Sequence, residues 1–373
     1  MKNKRIMLVF GTRPEAIKLV PVILALRKKS GLVPVVCVTA QHREIMDEVL
    51  KIFGIKSDID LNIMQPKQSL FDVTIRTLEG LKKVFDKHPP DMVLVQGDTT
   101  SAFAAALAAF YCRIPIGHVE AGLRTYDFGH PYPEEANRLL IDHIADLLFV
   151  PTMRADMALA REGLPENKRL ITGNTVIDTL QMASKIVRKP SNPVLEKVDW
   201  SRKIVLLTAH RRENWGEPLK DICRAVKEFA VLHSGVCIIY PVHPNPNVSK
   251  PVSKMLSKVP NILLTSPLNY FDLIYVMQRS WVCLTDSGGI QEEAPTFGKP
   301  ILVLRKVTER PEAVEAGVAY VVGTNSKQIF EQLQRLMKPK YYDQMARRAN
   351  PFGDGKASQR IISAVYRYLS RHG

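Results

Sequence analysis

The chain is short of cysteine, lacks any membrane-length apolar run and carries none of the short motifs that mark zinc or dinucleotide sites. Its five cysteines (Cys37, Cys112, Cys223, Cys237 and Cys283) are odd in number, widely spaced and without a CxxC pair. Most sit inside apolar runs, as buried free thiols do, which suits a reducing cytosol. The histidines show neither HExxH nor HxH spacing, so no metal is expected. No run approaches a membrane span, and IMLVF near the N-terminus is too short for a signal h-region before the charged GTRPE. A cytoplasmic protein with no membrane partner is the expectation. There is no short-period repeat and no low-complexity segment. The first βα turn reads FGTRPEAIKLVP rather than GxGxxG, and no acidic residue follows the second apolar run where a ribose ligand would stand. The nicotinamide fingerprint is therefore missing, and no cofactor is expected.

Charge is one-sided. Lys and Arg number 52 against 37 Asp and Glu, a formal net charge of +15. Such an excess suits nucleic acid, an anionic surface or a phosphorylated small molecule. The cations are scattered, densest in KNKR at the N-terminus and HRR at 210–212, and no nucleic-acid motif accompanies them. A solvated basic surface is the favoured reading, with no nucleic-acid partner.

What is present is a regular alternation. A length of 373 residues with 46% apolar content implies two domains with ample cores. Unbroken apolar runs (RIMLVF, VPVVCVT, DMVLVQ, IPIGHV and LLFVP, then KIVLLTA, VCIIYPV, NILLT, WVCLT, PILVL and AYVV) read as strands buried on both faces. Stretches of helical period, such as PEAIKLVPVILALRKK and SLFDVTIRTLEGLKKVF, lie between them. Repeated βαβ units predict an α/β fold of two Rossmann-like, doubly wound parallel sheets facing a cleft. The proline-rich KIVRKPSNPVLEKVDWSRK reads as a linker, and KASQRIISAVYRYLSR as an amphipathic helix with Ile361, Ile362, Val365 and Leu369 on one side. The expected division is 1–172, a connecting segment 173–202, a second domain 203–355 and a terminal helix 356–373.

Ligands of such sheets bind at the carboxyl ends of strands, and polar residues cluster there. Arg13 and Lys18 follow the first strand, as an anion site or merely as charges on an ordinary turn. Asp98 opens the segment after DMVLVQ, where Asp98 or Thr99 can equally cap a helix. Glu120 closes a buried run and is costly there unless paired or used. Glu134 and Glu135 begin a helix, which acidic residues stabilise in any case. His210, followed by Arg211 and Arg212, ends a strand and is a candidate anion site; His243 occupies a comparable place. In LTDSGGIQEEAPTFGKPILVL (284–304), Ser287, Gly288 and Gly289 stand between strand and helix, where glycines admit a phosphate to free N–H groups, and Arg310 adds charge. The alternative is a glycine-containing turn capped by Asp286 or Ser287. Residue chemistry alone reaches a two-domain α/β protein binding a phosphorylated ligand in its cleft.

In order along the chain, GTRPEAIKLVPV, QGDTTSAFAAALAAF, HVEAGLRT, PYPEEANR, TAHRREN, TDSGGIQEEAPTFGKPILVLR and TERPEAV resemble the non-hydrolysing UDP-N-acetylglucosamine 2-epimerases over nearly the whole length. The resemblance implies a glycosyltransferase-B-like fold clasping a UDP-sugar, a homodimer, and a terminal helix packing back toward the first domain. It implies reversible epimerisation at C2 to UDP-N-acetylmannosamine, through elimination of UDP to a 2-acetamidoglucal and its re-addition. Acid/base roles then fall on Asp98, Glu120 and Glu134, with His210 as the catalytic histidine. Substrate contacts fall on Arg13, Lys18, Ser287, Gly288, Gly289, Glu293 and Arg310. A second, allosteric UDP-sugar site falls on Gln41, Gln68, Arg211 and His243. The competing reading is a glycosyltransferase of the same fold, and further alternatives are a non-catalytic nucleotide-sugar sensor and a hydrolase.

Overall fold

The computed structural model describes residues 3–39, 43–65 and 67–372. The chain forms two compact units, Met1–Thr179 with Phe352–Gly373, and Leu180–Pro351. In the first, β1 (Lys4–Phe10), β2 (Leu32–Val38), β3 (Ile59–Asp60), β4 (Met92–Gln96), β5 (Ile116–Val119), β6 (Leu147–Val150) and β7 (Arg169–Ile171) pair in the order β3-β2-β1-β4-β5-β6-β7. In the second, β8 (Lys203–Thr208), β9 (Val236–Pro241), β10 (Ile262–Thr265), β11 (Ser280–Thr285), β12 (Ile301–Val303) and β13 (Ala319–Val321) pair as β10-β9-β8-β11-β12-β13. Every strand pair in both sheets is parallel. These are two doubly wound parallel sheets, as the continuous apolar runs imply. The strand order reverses between β1 and β4 in one unit and between β8 and β11 in the other, which opens a crevice at each reversal.

The central strands show why. All five residues of β4 and all six of β11 are buried, so neither face of the strand needs a polar side chain. Helices cover both faces, and those beginning at Arg13 and Leu70 carry Thr12 and Ser69 as N-caps with capping boxes. Two short strands, β3 and β7, are not announced by any apolar run. All five cysteines are free; burial pushes the Cys37, Cys223 and Cys283 thiols up to about 12, leaving them uncharged packing groups. Among the described residues no helix is long and apolar enough to cross a membrane.

The proline-rich stretch read as a linker is firmly docked on the second unit. Asp272 accepts hydrogen bonds from Ser191 N and Oγ at 2.6 and 2.8 Å and from Asn192 N at 3.1 Å. Trp200 meets Tyr275 edge-on with centroids 5.1 Å apart. The terminal helix Ala357–His372 belongs to the first unit, where it packs on the helix Arg13–Arg27. Its start is held by Asp178, which accepts from Ser358 N at 2.8 Å and Ser358 Oγ at 2.6 Å. Ile361, Ile362, Val365 and Leu369 are buried beneath it.

One backbone position is under strict steric control. Gly122, just past β5, has φ +86°, and a Cβ there would lie 2.6 Å from the Ala155 carbonyl oxygen. A left-handed backbone and a collision with rigid main chain both oppose a side chain. Gly122→Ala is expected to lower unfolding free energy by about 2–4 kcal/mol, measured by urea denaturation. A change below about 0.5 kcal/mol would mean that the β5–helix corner yields freely.

Candidate active site

In the first unit the polar side chains converge where β1, β4 and β5 end. Glu120 follows β5 directly and takes φ +70°, a left-handed backbone that a non-glycine residue rarely adopts. Its carboxylate is 7% exposed and accepts from Lys18 Nζ at 2.5 and 2.6 Å, Gln96 Nε2 at 2.5 Å and Asn174 Nδ2 at 3.0 Å. These three partners come from the helix after β1, the last residue of β4 and the loop after β7. The unfavourable backbone angle is thus held by a clamp drawn from three parts of the sheet.

Asp98 sits beyond the end of β4. Thr99, not Asp98, caps the next helix, accepting from Ala102 N at 3.0 Å. The Asp98 carboxylate is left to pair with Arg138 Nη2 at 2.6 Å, while Asn137 Nδ2 holds the Asp98 carbonyl at 2.9 Å. Its side chain keeps 27% of its surface, yet dense surroundings make desolvation the dominant influence. Burial pushes Asp98 above the usual aspartate range; the Arg138 and Lys18 cations oppose the rise and the Glu120 charge reinforces it.

Glu134 and Glu135 open the helix Glu134–Ile144, and the structure separates their roles. Buried Glu135 accepts from Thr125 N and Tyr126 N at 2.9 and 2.8 Å and lies 3.2 Å from Arg138 Nη1. Half-buried Glu134 has no side-chain partner among the described residues. Arg13, also half-buried, stands at the start of its helix beside a turn fastened by Glu15. Glu15 accepts from Gly11 N at 3.0 Å, Thr12 N at 2.7 Å and Thr99 Oγ1 at 2.6 Å, which ties the ends of β1 and β4 together. Beneath them, His118 bridges the Gly97 carbonyl (2.8 Å) and Asp142 (2.6 Å). Burial pushes Asp142 up, but the His118 ring and the Arg124 guanidinium outweigh it and hold the carboxyl below the ordinary aspartate range.

The second unit repeats the plan with different chemistry. Asp286, fully buried after β11, accepts from His210 N and Arg211 N, both at 2.8 Å, and from Asn214 Nδ2 at 2.9 Å. It therefore joins the ends of β8 and β11 instead of capping a helix. Ser287 is the N-cap position of the helix Gly288–Glu293, but its hydroxyl makes no capping bond. The His210 ring is 43% exposed, lies 3.5 Å from Asp286 Oδ1 through Nδ1, and stacks on His243 with centroids 5.8 Å apart. Arg310 ion-pairs with Glu292 and sits beside Gly288, its Cζ 3.7 Å from where a Cβ would lie. The space over Gly289 is bounded by Ser287 Oγ and Glu293 Oε1, at 3.8 and 3.9 Å from a notional Cβ. Cations, a hydroxyl, N–H donors and an open backbone suit a phosphate group.

Of the second-site residues, Arg211 and His243 adjoin His210: Arg211 Nε reaches the Asp286 carbonyl at 3.0 Å, and His243 Nδ1 accepts from Asn245 N at 3.1 Å. Gln68 belongs to the first unit and accepts from Gln65 N at 3.0 Å. Gln41 lies outside the described residues. Sequence reading missed Gln96, Asn174, Arg138, His118, Asp142 and the joining role of Asp286. Only Arg138 left a signal: Asn137 and Arg138 follow Glu134 by one helical turn and so share its face.

Paired doubly wound sheets, with carboxylates at one strand-order reversal and anion-binding groups at the other, define a glycosyltransferase-B-like enzyme, an architecture shared at fold level with glycosyltransferases. A family model described as UDP-N-acetylglucosamine 2-epimerase matches residues 24–366. The UDP-N-acetylglucosamine 2-epimerase of Escherichia coli (strain K12) is 50% identical over 368 residues, covering 97% of this chain and 98% of that protein. The crystal structure of UDP-GlcNAc 2-epimerase from Neisseria meningitidis bound to UDP-GlcNAc superposes with a TM-score of 0.85 at 46% identity, over 97% of this chain and 100% of that one. The enzyme from Methanocaldococcus jannaschii superposes with a TM-score of 0.86 at 34% identity, over 97% and 99%. The chain belongs to the UDP-N-acetylglucosamine 2-epimerase family.

Arg138 offers a direct probe of the first cluster. Its cation holds the Asp98 pKa down, so its loss raises that pKa further. If turnover needs ionised Asp98, the acid limb of kcat/KM lies above the range of an ordinary aspartate, and Arg138→Met moves it to higher pH. A profile that kept its acid limb in the variant would separate Asp98 from catalysis.

Proposed function

We propose that the protein interconverts UDP-N-acetylglucosamine and UDP-N-acetylmannosamine by inverting C2 of the sugar. The observation that carries this reading is the carboxylate cluster of the first unit, above all Glu120 clamped by Lys18, Gln96 and Asn174 beside an Asp98 of raised pKa. The C2 proton has no adjacent carbonyl to acidify it. A route that eliminates UDP across C1–C2, giving a 2-acetamidoglucal, meets this difficulty by coupling proton removal to departure of a good leaving group. Re-addition of UDP with protonation from the opposite face yields the epimer. The reaction then needs a base on one face, an acid on the other and a strong anchor for the diphosphate.

Asp98, Glu120 and Glu134 are the groups assigned to proton transfer. Their environments divide the work. Glu120 has both oxygens occupied by donors, so it can take up a proton only if one of these donors is displaced. Asp98, whose burial favours the protonated form, is better suited to exchange a proton, and Glu134 has no side-chain partner among the described residues that would hold it away from substrate. Arg13, Lys18 and Arg310, with Ser287, Gly288 and Gly289, are assigned to substrate and its diphosphate. Glu293, one turn into its helix, is assigned to the ribose hydroxyls. His210, whose exposed ring stacks on His243 and whose backbone N–H is held by Asp286, is assigned to the diphosphate or to a proton relay.

The enzyme is further proposed to work in the cytoplasm as a homodimer. A second UDP-sugar is proposed to contact Gln41, Gln68, Arg211 and His243. The stacking of His243 on His210 supports this, because it links the second group of residues to the first. A glycosyltransferase would use the same diphosphate anchor but would need an acceptor.

Incubation with UDP-N-acetylglucosamine alone separates the two readings. Epimerisation gives UDP-N-acetylmannosamine by NMR without acceptor, and Asp98→Asn, Glu120→Gln and Glu134→Gln each lose at least about 100-fold in turnover while retaining UDP binding. An unchanged substrate, or free sugar plus UDP as the only products, would overturn the assignment.

A further inference from the structure

The basic character of the chain is not exhausted by the cations at the two strand-end clusters. Part of it is concentrated on the terminal helix Ala357–His372 and the residue preceding it. Lys356, Arg360, Arg367 and Arg371 fall at i, i+4, i+11 and i+15, which helical geometry places on one face. That face lines two adjoining hollows in the first unit, which share Leu170 and Arg367. The first, of about 500 Å³, is bordered by Lys29, Lys356, Arg360, Tyr366 and Arg367, and none of its lining residues is acidic. The second, of about 460 Å³, is bordered by Lys168, Arg169 and Arg371, with Asp146 its one carboxylate.

The local carboxylates are already engaged. Asp146 accepts from Ile116 N at 2.9 Å and from the Tyr368 hydroxyl. Asp354 meets both terminal nitrogens of Arg360 at 2.7 Å, and Asp156 pairs with Arg169 at 2.7 Å. Lys356 and Arg367 have no ion pair or side-chain hydrogen bond among the described residues. Lys29 rests its ammonium over the Tyr366 ring, 4.6 Å from the centroid. An ordinary solvated helix face interleaves the two signs, because like charges at i, i+4 destabilise a helix. Here Arg360 is matched by Asp354 and Arg169 by Asp156, which leaves Lys356 and Arg367 as the cations of this wall without an acidic partner among the described residues.

We propose that this groove binds a free linear oligophosphate. Guanidinium forks match pairs of phosphate oxygens, and lysine ammoniums add point charge. Lys356 and Arg367 are separated by roughly 16 Å along the helix, so one phosphate reaches only one end and a chain of them is needed to engage both. A bilayer surface is flat and fits convex arrays better than hollows of this size. The groove lies in the first unit and uses none of the residues assigned to the UDP-sugar, so its fate is separate from that of the epimerase reading.

The test is calorimetric titration of the full-length protein with sodium tripolyphosphate, with and without saturating UDP. Binding should be saturable, persist in UDP, weaken with added salt, and fall at least about tenfold in the double variant Lys356→Ala, Arg367→Ala. Both residues are exposed and stand apart from the reacting groups, so the variant should keep its turnover and melting temperature. Absence of binding, binding abolished by UDP, or binding unchanged in the double variant overturns the proposal. Co-sedimentation with phosphatidylglycerol vesicles in the absence of tripolyphosphate binding overturns it in favour of a membrane surface.

Discussion

The Glu120 clamp is the constraint on which the first cluster depends. A glutamate placed at the end of a buried strand with φ +70° is disfavoured both by its backbone and by desolvation of its charge. Lys18 offsets the charge, while Gln96 and Asn174 satisfy the remaining lone pairs. The same contacts fix the separation of the ends of β1, β4 and β5, because each partner is anchored on a different element. Glu15 and His118 extend this lattice, one tying Thr99 to the Gly11 turn and the other carrying the Gly97 carbonyl. Asp98 then has little freedom to choose its surroundings. Its raised pKa is a consequence of where the lattice places it.

The second unit achieves comparable rigidity with one buried carboxylate. Asp286 receives three N–H donors from the loop after β8, and that loop carries His210 and Arg211. The same strand order thus serves two chemistries. In one sheet the residues at the reversal are acidic groups, among them an Asp98 whose pKa burial raises; in the other they are an arginine, a histidine, a hydroxyl and a backbone open at Gly288 and Gly289. An elimination that expels a nucleoside diphosphate requires both kinds of surroundings.

Much of this was legible in the sequence for a physical reason. Strands buried on both faces must be apolar throughout, so β1, β4, β8 and β11 stand out, and residues just beyond them are candidates by position alone. Glu120 stands out because an unpaired carboxylate there is costly, and the structure supplies its partners. Less was legible where the chain is short or the partner remote. The strands Ile59–Asp60 and Arg169–Ile171 are too brief to form a run. Asn174 and Arg138 act on carboxylates 54 and 40 residues away, a relation that only the folded sheet creates. The stretch 185–203 has the composition of a free linker, and nothing in it announces that Asp272 and Tyr275 will hold it down.

The central claim is that carboxylates of the first unit move the C2 proton while UDP departs and returns. Turnover of UDP-N-acetylglucosamine in D2O, followed by NMR at C2, tests it most directly. The account predicts deuterium at C2 of the UDP-N-acetylmannosamine formed, with incorporation lost together with turnover in Asp98→Asn. Epimerised product that retains protium at C2 would contradict it.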